Sequence, residues 1–226
     1  MSIAFSPNLG RYWDTDTGRM VPRSQVIALR DGEVESVGTR LKELAEAATR
    51  KEISADTFSR LARETLKPAL TRQATLGAGG VSQMSDRQLG TLGTQARLAY
   101  GSLRKLTLQA RRGEITPAQF AARAEQLAGN VTQAFNRAEQ LNRAENGFAE
   151  GWRTVESAHP CPDCPGYETG GWVPIGEIVP PGYACRCGGN CKCKVKYRQG
   201  GGDVSKLAET VMRRQATALP SDAPMV

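Results

Sequence analysis

The sequence predicts a mainly α fold: duplicated helical hairpins, with an extended N-terminal arm before them and a small C-terminal cysteine-rich knuckle with short strands after them. Three observations predict it. Apolar residues recur at spacings of three and four along the middle of the chain, the pattern of a helix with one buried face. A Glu-Ile-Ser/Thr turn occurs twice, 62 residues apart. All six cysteines fall between residues 161 and 193.

Residues 1–31 read as the extended arm. Asp16-Thr17-Gly18 is a turn signal between two short apolar segments, which predicts a small hairpin. Tyr12 and Trp13 fit that hairpin and equally fit an anchor on a neighbouring molecule. The helical body is predicted over 32–157. Val34, Val37, Leu41, Leu44 and Ala48 give 33–50 one apolar face. Ser54 can cap a second helix carrying Phe58, Leu61 and Leu66, which Pro68 is expected to bend or end. Residues 75–80, with three glycines, read as a flexible joint. Ser85 with Gln88 opens a helix of roughly 86–112. Thr116, Pro117 and Gln119 open the next, expected to run to about Ser157 with a break at Asn146-Gly147. The knuckle spans 158–198. A Gly-Gly-Gly linker, a short helix over 204–215 and a Pro- and Ser-bearing tail fill 199–226.

The two turns belong to an internal repeat, about 33–72 and 86–157. Shifting the chain by 62 residues aligns Leu41 with Leu103, Leu44 with Leu106, Ala48 with Ala110 and Arg50 with Arg112. The match continues through Glu52/Glu114, Ile53/Ile115, Ser54/Thr116, Phe58/Phe120 and Ala62/Ala124. Each copy is a helix, a tight turn, and a return helix capped by the Ser or Thr of that turn. Such a hairpin buries its apolar face against its partner.

Composition bounds the function. With 226 residues, one medium domain or two small ones fit. Aromatics make up only 6% of the chain, so the core is expected from Leu, Ala and Val and to be completed in an assembly. The net charge of +7 suits nearness to nucleic acid or to an acidic protein surface, and equally an ordinary solvated surface. A short basic run lies at Lys192, Lys194, Lys196 and Arg198, with no aromatic-interleaved motif for base reading. The first nine residues lack the charged start and apolar run of a secretory signal. No stretch approaches the roughly 18 apolar residues of a membrane span. The expectation is a soluble chain made in a cytoplasm, with no membrane partner.

Clustered cysteines in a reducing compartment argue for metal over disulfides, although pairing after release into an oxidising medium is the rival reading. Cys161-Pro162-Asp163-Cys164-Pro165-Gly166 is a Cys-x-x-Cys turn that aims two thiolates at one ion. Cys185-Arg186-Cys187 and Cys191-Lys192-Cys193 supply the returning pair after a gap of twenty residues. Zinc is the default ion for such thiolates, which makes the C-terminal module a zinc knuckle. Cys161 and Cys164 are the safest ligands. The spacing leaves open which of Cys185, Cys187, Cys191 and Cys193 complete the site, and whether all six hold two ions. The expected role is structural, since a catalytic zinc needs an open position and a nearby base. His159, the single histidine, reads as an exposed or outer residue before a ligand. No catalytic constellation or phosphate loop is legible, so the chain is not expected to be an enzyme or to take a small-molecule substrate. Trp152, Tyr167, Trp172, Tyr183 and Tyr197 gather near the cysteines in sequence and are expected to cover the metal.

The stretch from Asn142 to Arg198 resembles the C-terminal part of the phage head morphogenesis family, the Mu F-like minor capsid proteins. The residues that carry the likeness are Arg143-Ala144-Glu145 with Gly151 after it and Cys161-Pro162-Asp163-Cys164. They continue through a loop with Val173-Pro174 and Pro180-Pro181 to Asn190-Cys191-Lys192-Cys193, which runs into a strand at 194–197. The family's closing piece reads His-Pro-Asn-Cys-Arg-Cys. Here the histidine position falls near Gly188 and the histidine is missing, with Cys185-Arg186-Cys187 as the substitute source of a ligand. The resemblance covers about a quarter of the chain. It implies a structural virion protein of a tailed-bacteriophage head: a minor capsid protein, a capsid cement or a neck component. The implied partners are the major capsid protein or the portal, copies of the chain itself and packaged DNA. The alternative is a nucleic-acid-binding zinc module.

Overall fold

In the computed structural model, residues 2–183, 185–187, 191–200 and 203–217 are described. Two glycines of the expected linker, the Gly188 position and the tail beyond 217 lie outside the described residues.

Short strands open the chain: β1 (Ile3–Ser6), β2 (Arg11–Asp14) and β3 (Arg19–Val21), antiparallel in that order. Phe5 pairs with Tyr12 and Tyr12 with Val21, so one row of side chains faces inward and is buried. Trp13 and Met20 pair on the outer face and stay exposed. The predicted hairpin is therefore a three-stranded sheet. The arm ends at Val21, not at residue 31. Helix α1 (Arg23–Thr49) starts directly after Pro22, because Val26, Ile27 and Arg30 extend the buried face of Val37, Leu41 and Leu44 backwards.

Helices α2 (Ala55–Gly77), α3 (Asp86–Arg111) and α4 (Pro117–Gln126) complete two hairpins. The turns are the same, bond for bond. Glu52 N–H donates to the Ala47 carbonyl at 3.0 Å, and Glu114 N–H to the Gln109 carbonyl at 3.0 Å. Lys51 and Gly113, also 62 apart, both take left-handed conformations, with φ of 62° and 67°. Ser54 Oγ accepts the Thr57 N–H, and Thr116 Oγ1 accepts the Gln119 N–H within a full capping box. The copies pack crosswise: α1 lies on α4 as α3 lies on α2. Phe58 and Phe120 meet between them in one Leu- and Ala-rich core.

Three expectations fail here. Pro68 does not end α2, which continues to Gly77. Pro68 sits on the exposed side, where water can take the carbonyl that its missing N–H releases. Residues 75–80 are a tight crossing instead of a flexible joint. Gly77 is buried against the Phe135 carbonyl with no room for a Cβ, and Gly79 and Gly80, at φ of 89° and 114°, press on β1. The long helix expected to reach Ser157 is α4, a break at Leu127-Ala128, and α5 (Gly129–Glu145). Asn146-Gly147 ends it, and strand β4 (Phe148–Thr154) comes next.

Helix α5 is buried along nearly its whole length, polar residues included. Several find a distant partner, as buried polar groups usually do. Glu139 takes the Tyr12 hydroxyl at 3.1 Å and the Arg23 guanidinium at 2.7 Å. Asn136 donates to the Pro181 carbonyl, Gln140 to those of Ile175 and Ile178, and Asn142 to that of Ala78. Arg143 lies 3.7 Å from the Phe5 ring centre, with Tyr12, Phe148 and Tyr197 around it. The helix is thus a spine: the bundle packs on one side and the terminal sheets on the other. Against that second side lie β4, β5 (Val173–Pro174) and β6 (Lys194–Gln199), in the order β5-β4-β6, and helix α7 (Val204–Thr217).

Candidate metal centre

The cysteines gather where β4 ends and β6 begins. These strands are antiparallel, with Thr154 opposite Lys194, so residues just after 154 and just before 194 must come together. Gly151 lets Ile178 pack onto this strand: a Cβ there would collide with the Ile178 side chain. After β4, the Cys161 carbonyl accepts the Cys164 N–H at 3.0 Å, and the short helix α6 (Cys164–Thr169) begins there. Two bonds tie α6 to β4 and the residue after it: Trp152 Nε1 donates to the Glu168 carbonyl and Val155 N–H to the Glu168 carboxylate. Asp163 accepts the Arg186 N–H at 2.8 Å, which holds the second cysteine turn over the first.

All six cysteines are free thiols, and their sulfurs form two groups that could hold a metal ion. Cys161, Cys164, Cys185 and Cys187 make one; Cys164, Cys191 and Cys193 make the other. Within each, the ligand atoms lie within 4.8 Å of one another. Cys161 Sγ is 3.3 Å from Cys164 Sγ, Cys164 is 3.7 Å from Cys187, and Cys185 is 3.1 Å from Cys187. Sulfurs about 2.3 Å from a tetrahedral zinc stand about 3.8 Å apart, so these separations fit one ion with small adjustment. An iron–sulfur cluster interposes sulfides and spreads cysteine sulfurs well beyond such distances. The chain therefore presents a cysteine cluster placed to hold a metal ion.

The thiols perturb one another. Burial raises Cys161, but hydrogen bonds from Cys164 and Cys187 outweigh it and its pKa falls. The bond with Cys185 lowers Cys191. The same bond, with burial, pushes Cys185 up to about 12. Burial also raises Cys187 and Cys193. Neighbouring thiolates cannot all ionise side by side without a cation, and a bound dication removes that conflict by displacing their protons.

Arg153 is the residue that sequence reasoning missed. It points inward from β4, buried, and its Nη2 donates toward Cys185 and Cys191 Sγ at 3.2 Å and Cys164 Sγ at 3.5 Å. The Tyr167 ring covers it at 4.3 Å. Desolvation lowers its pKa, but the Cys185 and Cys191 sulfurs more than offset this and raise it. The sequence signal was its alternation with Trp152 on a strand aimed at the cysteines, the inward position falling to the Arg.

Other expectations divide. His159 is exposed and belongs to neither group. Of the five aromatics, Tyr167 covers the site through Arg153. Trp152 and Trp172 pack together over the sheet, where Lys196 and Arg198 stack on them. Tyr183 covers Arg137 and Tyr197 approaches Arg143 in the body. The basic run is largely engaged within the fold: Lys194 pairs with Glu156 at 2.8 Å and Arg198 with Glu150 at 2.5 Å. Among the described residues, no helix is long and apolar enough to cross a membrane. The chain matches no protein-family model, no curated protein and no solved structure.

Proposed function

We propose that this chain is a structural protein of a tailed-bacteriophage head, with a structural zinc centre at its C-terminal end. The observation that carries the reading is the placement of the thiol cluster. It closes the β4–β6 pair with its sulfurs packed on one another and on Arg153, as a clamp would be built. Zinc fits the all-thiolate donor set and the sulfur separations. The likeness of Asn142–Arg198 to Mu F-like minor capsid proteins supplies the setting.

Arg143 and Gly151, two residues of that likeness, serve the joint between the spine helix and the knuckle. Trp13 and Met20 are exposed at the outer side of the N-terminal sheet and Leu9 in the turn between β1 and β2, which suits contact with the major capsid protein, the portal or another copy. The reading includes no catalysis. A nucleic-acid-binding zinc module is less favoured, because Lys194, Lys196 and Arg198 are engaged with Glu156, Trp152 and Glu150.

The test is the copy number of the chain in purified particles, by quantitative mass spectrometry against the major capsid protein. A count matching the shell lattice means a cement role, and a count matching a portal-type ring means a neck role. Absence from particles sinks the virion reading.

A further inference from the structure

We infer that the knuckle holds two metal ions joined through a shared thiolate, with Cys164 as the bridge and Arg153 as its counter-charge. This rests on the reading of the cluster as a zinc centre and adds its nuclearity. The observation is how the two ligand groups divide the six sulfurs. They overlap at a single residue, Cys164, and otherwise draw on different cysteines.

The first group is complete in itself, since Cys161, Cys164, Cys185 and Cys187 give one ion four sulfurs. It leaves Cys191 and Cys193 over, and these are among the most buried sulfurs of the six, each 3% exposed. The second group gives another ion three sulfurs, Cys164, Cys191 and Cys193. Its fourth position is left to a donor outside the group, such as water. Two tetrahedral ions need eight bonds, and six cysteines with Cys164 bridging supply seven of them, the outside donor the eighth. The Cys164 to Cys191 separation of 4.0 Å is that of two sulfurs on one ion.

Charge fits the same count. Six thiolates and two dications leave a net charge of minus two in a largely covered pocket. Arg153 Nη2 lies against Cys164, the proposed bridge, and against Cys185 and Cys191, one from each group. A permanent cation there stabilises a dianionic cluster and lends an N–H group to the shared sulfur. A single zinc with four of the thiolates, the other two staying protonated, has the same net charge but leaves two protonated thiols in the pocket.

The experiment loads the reduced full-length chain with zinc, removes loosely bound metal with a mild chelator, and counts ions by native mass spectrometry. Cadmium-113 NMR of the cadmium form counts distinct sites. The expected result is two ions per chain and two cadmium resonances coupled through the shared sulfur. One ion and one resonance overturn the two-ion centre and leave the single zinc knuckle standing. No retained ion overturns the zinc reading itself. The double variant Cys191→Ser/Cys193→Ser keeps the complete first group, so it is expected to retain one ion. Two ions in that variant overturn the assignment.

Discussion

Phe58 and Phe120 stand edge to face with ring centres 4.9 Å apart, and they occupy the same position in successive hairpins. The contact lies where the two copies cross, so the duplicated unit meets itself through its own equivalent residue. Truncating either ring to Ala is expected to cost about 3–5 kcal/mol, with Phe120, slightly less buried, at the lower end. The double variant should cost less than the sum by roughly 0.5–1.5 kcal/mol, the worth of an aromatic pair. Urea unfolding followed by far-UV circular dichroism measures all three, and full additivity would place the rings in separate units.

Cys161→Ser or Cys164→Ser should release metal and loosen the segment after β4 while the bundle stays helical, because binding and folding of a thiolate knuckle are coupled. Elemental analysis reads the metal. The far-UV helical signal should persist, and the emission of Trp152 and Trp172, which pack beside α6, should shift. Unchanged metal content would contradict the ligand assignment.

Arg153→Ala should weaken metal affinity by about 10–100-fold, the range for a group that supports ligands from outside. Arg153→Lys should recover part of it, since a lysine restores charge without the planar fork. Chelator competition monitors both. Equal affinity in the wild type and Arg153→Ala would reduce the residue to a packing role.

Glu139 gives the molecule a defined acid limb. Burial raises its pKa, but Arg23 and Arg143 and the hydrogen bonds from Arg23 and Tyr12 outweigh it, so the folded pKa lies below the ordinary 4.5. A depressed carboxyl contributes stability that is present above the unfolded value and is lost as pH falls through the folded one. Urea midpoints should therefore decline as pH drops below 4.5. Glu139→Gln should be less stable at neutral pH and flatter in this window; a parallel decline in both proteins would assign the acid sensitivity elsewhere.

Two glycines should respond in opposite directions. Gly77→Ala drives a methyl into the Phe135 carbonyl and should destabilise by about 1–3 kcal/mol or more. Gly101→Ala faces open space on α3 and should stabilise by roughly 0.5–1 kcal/mol. Thermal melts of the pair separate backbone crowding from helix propensity.

The hairpins were legible because their turns are spelled out locally: a left-handed residue, an Ile and a capping hydroxyl at fixed offsets. The cysteine cluster was legible for the same reason, and the sequence left its ligand grouping open because that depends on how β4 and β6 bring distant turns together. What sequence periodicity could not show is α5. Its Asn136, Glu139, Gln140 and Arg143 are polar, yet they are buried against residues 100 or more positions earlier and about 35–45 positions later. Gly77 to Gly80 read as slack for a related reason. Small residues mark both loose joints and close crossings, and only the neighbour distinguishes them.

The spine helix also sets an order of events during synthesis. When Glu145 leaves the ribosome, the early partners Tyr12, Arg23 and Arg30 are already available, but the carbonyls at 175, 178 and 181 that satisfy Gln140 and Asn136 have yet to emerge. Until they arrive, α5 must keep one polar side in water. Closing these long-range contacts carries the chain-entropy cost of non-local pairing, which slows folding. The bundle and the N-terminal sheet can therefore assemble early, while the knuckle and helix α7 close on α5 only after the residues beyond 175 have emerged. A ribosome stalled before residue 175 would hold a helical but unfinished chain.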